Sequence, residues 1–134
     1  MAVQVNLVDE SVDVNSSLDS IVIINNIYSI PGGKSLDTTG YTSDVLQAGH
    51  VIIKETATGN YKPMPVSGAA YAALPAGHEY VGILNATILT KRPFAGVMTE
   101  GYVNENASPY PVATIKAAFM TATLNEIKFR GDLS

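Results

Sequence analysis

Two histidines are the side chains of this 134-residue chain best suited to metal binding or proton transfer. His50 and His78 are too far apart for a compact metal motif, and neither has a carboxylate at helical ligand spacing. Glu79 follows His78 directly, but neighbouring side chains on a strand point to opposite faces. We therefore expect both histidines in solvent-exposed turns, with a metal-dependent enzyme that uses both as the alternative.

Other groups that could support catalysis are few. The carboxylates available for acid–base work outside the N-terminal segment each lie near a strand end or turn, where a solvated surface charge is expected: Glu55, Glu79, Glu100, Glu105 and Asp132. The run Gly32-Gly33-Lys34-Ser35 lacks the upstream glycine and the following helix of a phosphate-binding loop. The chain has no Cys, which excludes thiol nucleophiles and Cys-ligated metals. The sequence predicts a protein that is not an enzyme and has no metal and no cofactor.

The seven tyrosines of the chain indicate a binding function instead. Tyrosine is favoured where one end of the ring is buried and the hydroxyl stays in water, as at interfaces. Exposed rings at Tyr71, Tyr102 and Tyr110 could serve as stacking platforms for a carbohydrate. The alternative is that several are ordinary tyrosines at the edge of a domain.

The net charge of −4 is unevenly distributed. Residues 1–33 hold four acidic residues and no Lys or Arg, whereas the rest of the chain is electroneutral. A body without a basic cluster disfavours nucleic acid and anionic membrane surfaces as partners. The longest apolar run, residues 21–24, is far shorter than the roughly 20 residues of a membrane helix. These observations favour protein partners, with no nucleic acid and no membrane.

The elements that would position these side chains are mostly strands. Period-two patterns predict strands within 45–55, 80–90, 93–103 and 125–130, and Leu84, Ala86 and Ile88 share one face of the second. Two prolines restrict 61–66 to an edge strand or extended loop. A helical period appears over 112–120, where Pro111 suits the first turn and the apolar face is formed by Val112, Ile115, Phe119 and Met120. The predicted fold is mainly β, a small β-sandwich or barrel-like domain with one short helix near the C-terminus.

The N-terminal segment has the pattern of a separate strand or arm. Val3, Val5 and Leu7 alternate with polar residues, and Val12 and Val14 repeat the alternation. Pro31-Gly32-Gly33 predicts a turn that could act as a hinge. The predicted division is an N-terminal arm over 1–30 and a β domain over 31–134. The segment is either an edge strand or tail of the same domain, or an arm that orders against another chain by strand addition.

The order of segments in the body resembles that of the head decoration proteins of lambda-like tailed phages and the related phage head-fibre proteins. The resemblance depends on short motifs spread over about three-quarters of the chain, roughly residues 31–134. These are Ala48-Gly49-His50-Val51-Ile52-Ile53, the turn Thr58-Gly59-Asn60-Tyr61-Lys62-Pro63, the strand Val81-Gly82-Ile83-Leu84, and a strand centred on Gly101 followed by a short helix and a closing strand.

The resemblance implies a non-enzymatic homotrimer on the exterior of a virion capsid, where it stabilises the shell by binding the major capsid protein. By the same resemblance the N-terminal segment would bind the capsid, and its alternating residues are the candidate contacts: Val3, Val5, Leu7, Val12 and Val14. This segment departs from lambda-like relatives in being longer, acidic and more apolar. The alternative is a head-fibre module on the virion surface that binds host-surface or gut carbohydrate.

Overall fold

Strands make up most of the regular elements in the structure, a computed structural model that describes residues 19–130. The prediction of a mainly β protein with a short helix near the C-terminus is confirmed. In chain order the elements are α1 (Asp19–Val22), β1 (Ile23–Ser29), β2 (Lys34–Ser35), β3 (Val45–Leu46), β4 (Val51–Glu55), β5 (Tyr61–Pro63), β6 (Val66–Ser67), β7 (Ala70–Tyr71), β8 (His78–Leu84), β9 (Ile88–Leu89), β10 (Phe94–Ala95), β11 (Val97–Val103), a 3₁₀ turn (Glu105–Ala107), α2 (Lys116–Ala122) and β12 (Ile127–Phe129).

Six of these strands form one central sheet. Its order is β1–β11–β8–β4–β5, and β12 joins it by pairing parallel with β11. All other neighbours in the sheet are antiparallel. Three two-stranded ribbons, β2–β10, β3–β9 and β6–β7, complete the strand pairing of the described chain. β5 lies at one end of the sheet, as its prolines predict.

Both faces of the sheet are covered by apolar side chains. On β4, Val51 and Ile53 belong to the larger core cluster together with Phe119 of α2. Ile52, which points to the opposite face, packs in a smaller cluster with Leu84. A strand buried on both faces needs apolar residues at every position, and this accounts for the continuous run at 51–53.

The apolar face of the C-terminal helix is confirmed, but its start is not. Val112, Ile115 and Phe119 are buried, and Met120 packs against the same cluster. However, α2 begins only after Ile115, whose N–H donates to Val112 O at 3.0 Å and so closes a separate turn. Pro111 therefore precedes this turn and is not part of the first turn of the helix.

The strand predicted over 80–90 is interrupted. β8 ends at Leu84 and β9 resumes at Ile88, while Ala86 between them is exposed. The prediction that Leu84, Ala86 and Ile88 share one face of a strand is thus wrong for Ala86. The chain turns there because the Thr87 N–H donates to the carboxylate of Asp19 at 2.9 Å instead of to a neighbouring strand.

The described part of the predicted arm, residues 19–30, belongs to the sheet of the β domain. β1 pairs with β11, and Val22 just before it is completely buried in the larger core cluster. The turn at Pro31 is present, closed by the Gly33 N–H donating to Ile30 O at 3.2 Å. Of the two interpretations of this segment, its described part therefore matches an edge strand of the same domain. Within residues 19–130, no helix combines the length and hydropathy needed to span a bilayer.

Candidate functional site

The predicted capsid-binding residues, Val3, Val5, Leu7, Val12 and Val14, lie outside the described residues. The surface that follows them along the chain is formed by α1 and β1. Asp19 fixes the start of this surface, because its two carboxylate oxygens accept hydrogen bonds from the Thr87 hydroxyl at 2.6 Å and the Thr87 N–H at 2.9 Å. Asp19, the first described residue, is thereby fixed next to Thr87.

Val22, at the end of α1, packs α1 against the rest of the domain. Its carbonyl oxygen accepts the Asn104 N–H at 2.8 Å, and its side chain lies against Gly49. Gly49 has a φ of +91°, and a Cβ added there would come within 2.5 Å of Val22 Cγ2. The glycine of the Ala-Gly-His turn therefore serves both the turn itself and the close packing of the N-terminal segment.

β1 is an edge strand with an uncharged surface, on which Asn25 and Asn26 are exposed beside apolar side chains. Within the described chain it pairs with β11 alone, and its register is irregular at three places. Ile27 and Tyr28 are 51% and 53% exposed, and Ile21 and Ile24 are also exposed. No charged residue occurs in residues 20–33. Folded proteins commonly protect such edges with charges, proline or bulges; the register of β1 is irregular, but its edge carries no charge that would oppose pairing with another chain.

His50 is buried and does not lie in a solvent-exposed turn, so that prediction is wrong. Its side chain is 1% exposed and is surrounded edge-on by the rings of Tyr41, Tyr71 and Tyr110, at centroid distances of 5.3 to 5.7 Å. Nε2 lies 2.9 Å from Met64 O, and because a carbonyl oxygen only accepts, Nε2 carries the ring proton. Burial lowers the pKa of His50 from 6.5 to about 4, partly opposed by this hydrogen bond. The ring is therefore neutral at physiological pH.

His78 is held at the surface by different partners. Its Nδ1 donates to Ala76 O at 2.9 Å, which leaves Nε2 to accept from Lys62 Nζ at 3.3 Å. The same ammonium pairs with Glu55 at 3.0 Å. Hydrogen bonds from Lys62 and from the Thr58 hydroxyl lower the pKa of Glu55. The Nε2 and Nδ1 atoms of His78 thus both contact protein groups.

The structure does not bring the two histidines into a shared site. The described chain contains no group of three or more His, Asp or Glu side chains placed to hold a metal ion. Among the carboxylates considered for catalysis, Glu55, Glu79 and Glu105 each pair with a lysine. Asp132 lies outside the described residues. The metal-dependent enzyme kept as an alternative therefore gains no support from the geometry.

The three tyrosines predicted as stacking platforms have different surroundings. Tyr71 is buried, and its hydroxyl accepts the Val51 N–H at 3.1 Å, so an exposed role for it is wrong. Burial raises the pKa of Tyr71 well above 10. Tyr102 lies half-buried on β11, with Lys128 Nζ 5.8 Å from its ring centroid. Tyr110 remains half-buried beside Tyr71 and lines a cleft.

We call this cleft the Tyr41 cleft. It has a volume of about 550 Å³, a size typical of small-molecule sites, and lies between the loop 37–43, β5 and the segment 65–75. Tyr41 and Tyr110 both line it. Burial is the main cause that raises the pKa of Tyr41 well above 10. The polar side chains that contribute to its lining include Asp37, Lys62 and His78.

Comparison with known proteins finds no match: no family model, no curated protein and no solved structure resembles this chain. The fold and the side-chain geometry are therefore the basis for a functional assignment.

The sequence-based interpretation missed both Tyr41 and the exposed edge of β1. For β1 a signal was present, since residues 20–33 combine an apolar run with the absence of any charge. For Tyr41 no local signal exists, because Tyr110, with which it lines the cleft, comes from a distant part of the chain.

Proposed function

We propose that this chain is a non-enzymatic structural protein of a virion, which binds the exterior of a phage capsid as a homotrimer and stabilises or decorates it. The proposed partner is the major capsid protein. The observation that carries the proposal is the uncharged edge of β1, where Ile24, Ile27 and Tyr28 are exposed.

Within residues 19–130 the second edge of β1 pairs with no other strand, and such an edge supports this function because its backbone N–H and C=O groups can extend a sheet into a neighbouring chain. The main-chain hydrogen bonds supply affinity, and exposed side chains such as Ile27 supply complementary apolar contacts. The segment that precedes β1 alternates in the manner of a strand at Val3, Val5 and Leu7. In our proposal this segment and the edge of β1 together form the surface that contacts the capsid.

The state of the basic side chains supports a protein partner over nucleic acid. Most of them already interact within the domain: Lys54, Lys62 and Lys116 pair with glutamates, and Lys34 and Lys128 lie over tyrosine rings. Binding to a phosphate backbone requires several unpaired cations on one face. The exposed apolar groups of β1 instead suit a contact between proteins.

Light scattering coupled to gel filtration tests the oligomeric part of the proposal, and co-sedimentation with capsids that lack the protein tests the partner. We expect a particle of three times the chain mass of 14.1 kDa, and saturable binding to the capsid. A stable monomer at micromolar concentration would overturn the homotrimer. A trimer that does not sediment with capsids would overturn the capsid partner.

A second candidate function is that of a virion-surface module, such as a head fibre, which binds host-surface or gut carbohydrate. The Tyr41 cleft favours it, because two tyrosines and several polar side chains line one opening. A glycan array distinguishes the two functions. Signal on the array without capsid binding favours this second function, and the reverse result favours the first.

A further inference from the structure

We propose that the Tyr41 cleft binds a short, neutral saccharide, with the rings of Tyr41 and Tyr110 against the sugar and with Asp37 and Lys62 bonded to its hydroxyls. This inference rests on the second candidate function and gives it a site and a ligand class. It does not depend on capsid binding.

The aromatic part of the cleft is fixed before any ligand binds. The Tyr41 and Tyr110 rings pack edge-on against buried His50, and Tyr110 also contacts Tyr71 at a centroid distance of 5.3 Å. His50 is in turn tied to Met64 O. Rings that are already immobilised lose little further conformational entropy when a ligand packs on them. A sugar ring, which has an apolar C–H face, is a suitable partner for such rings.

The polar part of the cleft is also positioned by the fold. Asp37 is held by its own N–H, which donates to Tyr61 O at 2.7 Å, and by Thr39, whose N–H donates to Asp37 Oδ1 at 3.1 Å. Hydrogen bonds from Thr39 lower the pKa of Asp37, so its carboxylate is ionised and accepts hydrogen bonds. Lys62 is oriented by Glu55 and His78 and donates. Sugar hydroxyls both donate and accept, so they can bond to both kinds of group.

The charges that line the cleft select a neutral ligand. Asp37 and Lys62 contribute one charge of each sign. Lys62 is already paired with Glu55 at 3.0 Å, so its ammonium is largely neutralised. A phosphate, a sulfate or an acidic sugar would meet the carboxylate of Asp37 without sufficient positive charge to offset it. An uncharged polyhydroxylated ligand incurs no such repulsion.

A proline-rich peptide is the other ligand that tyrosine-lined clefts accept. Here, however, a peptide would cover the Asp37 carboxylate with apolar prolines that offer it no donor besides the Thr39 N–H, and burying a charge that is only partly hydrogen-bonded is costly. A saccharide provides hydroxyl donors at the same positions. The polar lining therefore favours the saccharide.

The test is an NMR titration of the full-length protein with named probes. These are glucose, galactose, mannose, N-acetylglucosamine and neutral disaccharides of each, with sialic acid and a proline decamer as competing ligand classes. We expect a neutral saccharide to shift backbone resonances in the loop 37–43 and at Lys62 and His78. The affinity should fall about tenfold in Asp37→Asn, because the hydrogen bond to a charged acceptor is lost. Asparagine can still accept the Thr39 N–H, so the turn is retained.

Asp44→Asn is the matched control, because Asp44 is exposed and lies just beyond the loop without lining the cleft. It removes the same charge and should leave the affinity unchanged; a thermal melt verifies that both variants are folded. Saccharide binding that persists in Asp37→Asn or shifts other residues would place the ligand elsewhere and overturn the cleft, but not the second candidate function. No binding on the array or in solution would overturn both. A proline decamer or sialic acid that shifts the loop, where no neutral sugar does, would overturn the ligand class.

Discussion

The His50 side chain couples the stability of the fold to pH. Its pKa is about 4 in the native protein and 6.5 as the ordinary value, so between these pH values the unfolded state takes up a proton that the native state does not. Stability should therefore be highest above pH 6.5, fall as the pH drops to about 4, and change no further through this group below that. We expect a loss on the order of 3 kcal/mol in urea unfolding at pH 4 relative to pH 7.

A variant distinguishes the contribution of His50 to the pH dependence of stability from that of the carboxylates. His50→Phe keeps a ring among the three tyrosines but leaves Met64 O unpaired, so it should lose about 1–3 kcal/mol at pH 7 and have a flatter profile between pH 6.5 and 4. Tyr71→Phe, in the same cluster, should keep the wild-type slope. Asp37 and Glu55 have pKa values held below 3.8 and 4.5, so they act mainly below this window. An equally steep profile in His50→Phe would assign the acid sensitivity to other groups.

The environment of His50 illustrates what a sequence cannot supply about a site. The Ala-Gly-His pattern correctly indicates a turn before β4, and Gly49 adopts the positive φ that such a turn needs. The three tyrosines around the ring, however, come from separate loops and strands. Residues that follow a turn are usually solvated, and only long-range packing makes this one an exception. The Tyr41 cleft is unpredictable for the same reason.

At the scale of elements, the exposed edge of β1 gives a direct test of docking. Ile27→Lys places a charge on an edge strand at a side chain that is 51% exposed, so it should change folding stability by less than about 0.5 kcal/mol. If β1 pairs with the major capsid protein, the charge must be desolvated at that contact, and binding to the capsid should weaken at least about tenfold in co-sedimentation. Ala57→Lys, in the exposed turn after β4, adds the same charge as a control. Equal capsid binding by both variants would show that β1 is not part of the capsid interface.

The pairing of β8 with β11 depends on a glycine at position 82. A Cβ at Gly82 would collide with the carbonyl oxygen of Met98 on β11 and press on Val97. Gly82→Ala should therefore destabilise the domain by about 1–3 kcal/mol, measured by urea unfolding, because the strands must move apart. Gly96→Ala is a milder comparison, since a Cβ there would lie 3.1 Å from the side-chain amide of Asn85 and would meet no backbone atom of another strand among its nearest neighbours. Similar losses in both variants would contradict this account.

Element prediction succeeded where one pattern satisfied both local preference and packing. Ile127 and Phe129 alternate with polar residues and are buried as the alternation predicts. The prediction failed where tertiary hydrogen bonds redirect the chain. Thr87 bonds to Asp19, which lies far away in the sequence, and so interrupts a segment that reads as one strand. The position of the described part of the N-terminal segment depends on the same contact, which no local pattern predicts.

At the scale of the whole molecule, the structure shows which part of the unevenly charged N-terminal segment belongs to the domain. Residues 20–33 are free of charge and form part of the domain, so most of the acidic excess, Asp9, Glu10 and Asp13, precedes the described chain. Asp19, the fourth acidic residue, forms an internal contact with Thr87. In the sequence, the other three acidic residues therefore precede Asp19 and the uncharged run 20–33 follows it.

Two truncations test this boundary. Deleting residues 1–18 leaves Asp19, Val22 and β1 in place, so we expect an unchanged melting temperature and, if the proposed capsid contacts are correct, loss of capsid binding. Deleting residues 1–30 also removes completely buried Val22 and the strand that pairs with β11. Burial of one such side chain contributes about 1.5–3 kcal/mol, and the exposed flank of β11 adds unpaired backbone groups, so this variant should unfold or melt at a clearly lower temperature. Equal melting temperatures for the two truncations would show that the domain begins after the turn at Pro31. Capsid binding that survives removal of 1–18 would transfer the proposed contact from Val3, Val5 and Leu7 to β1.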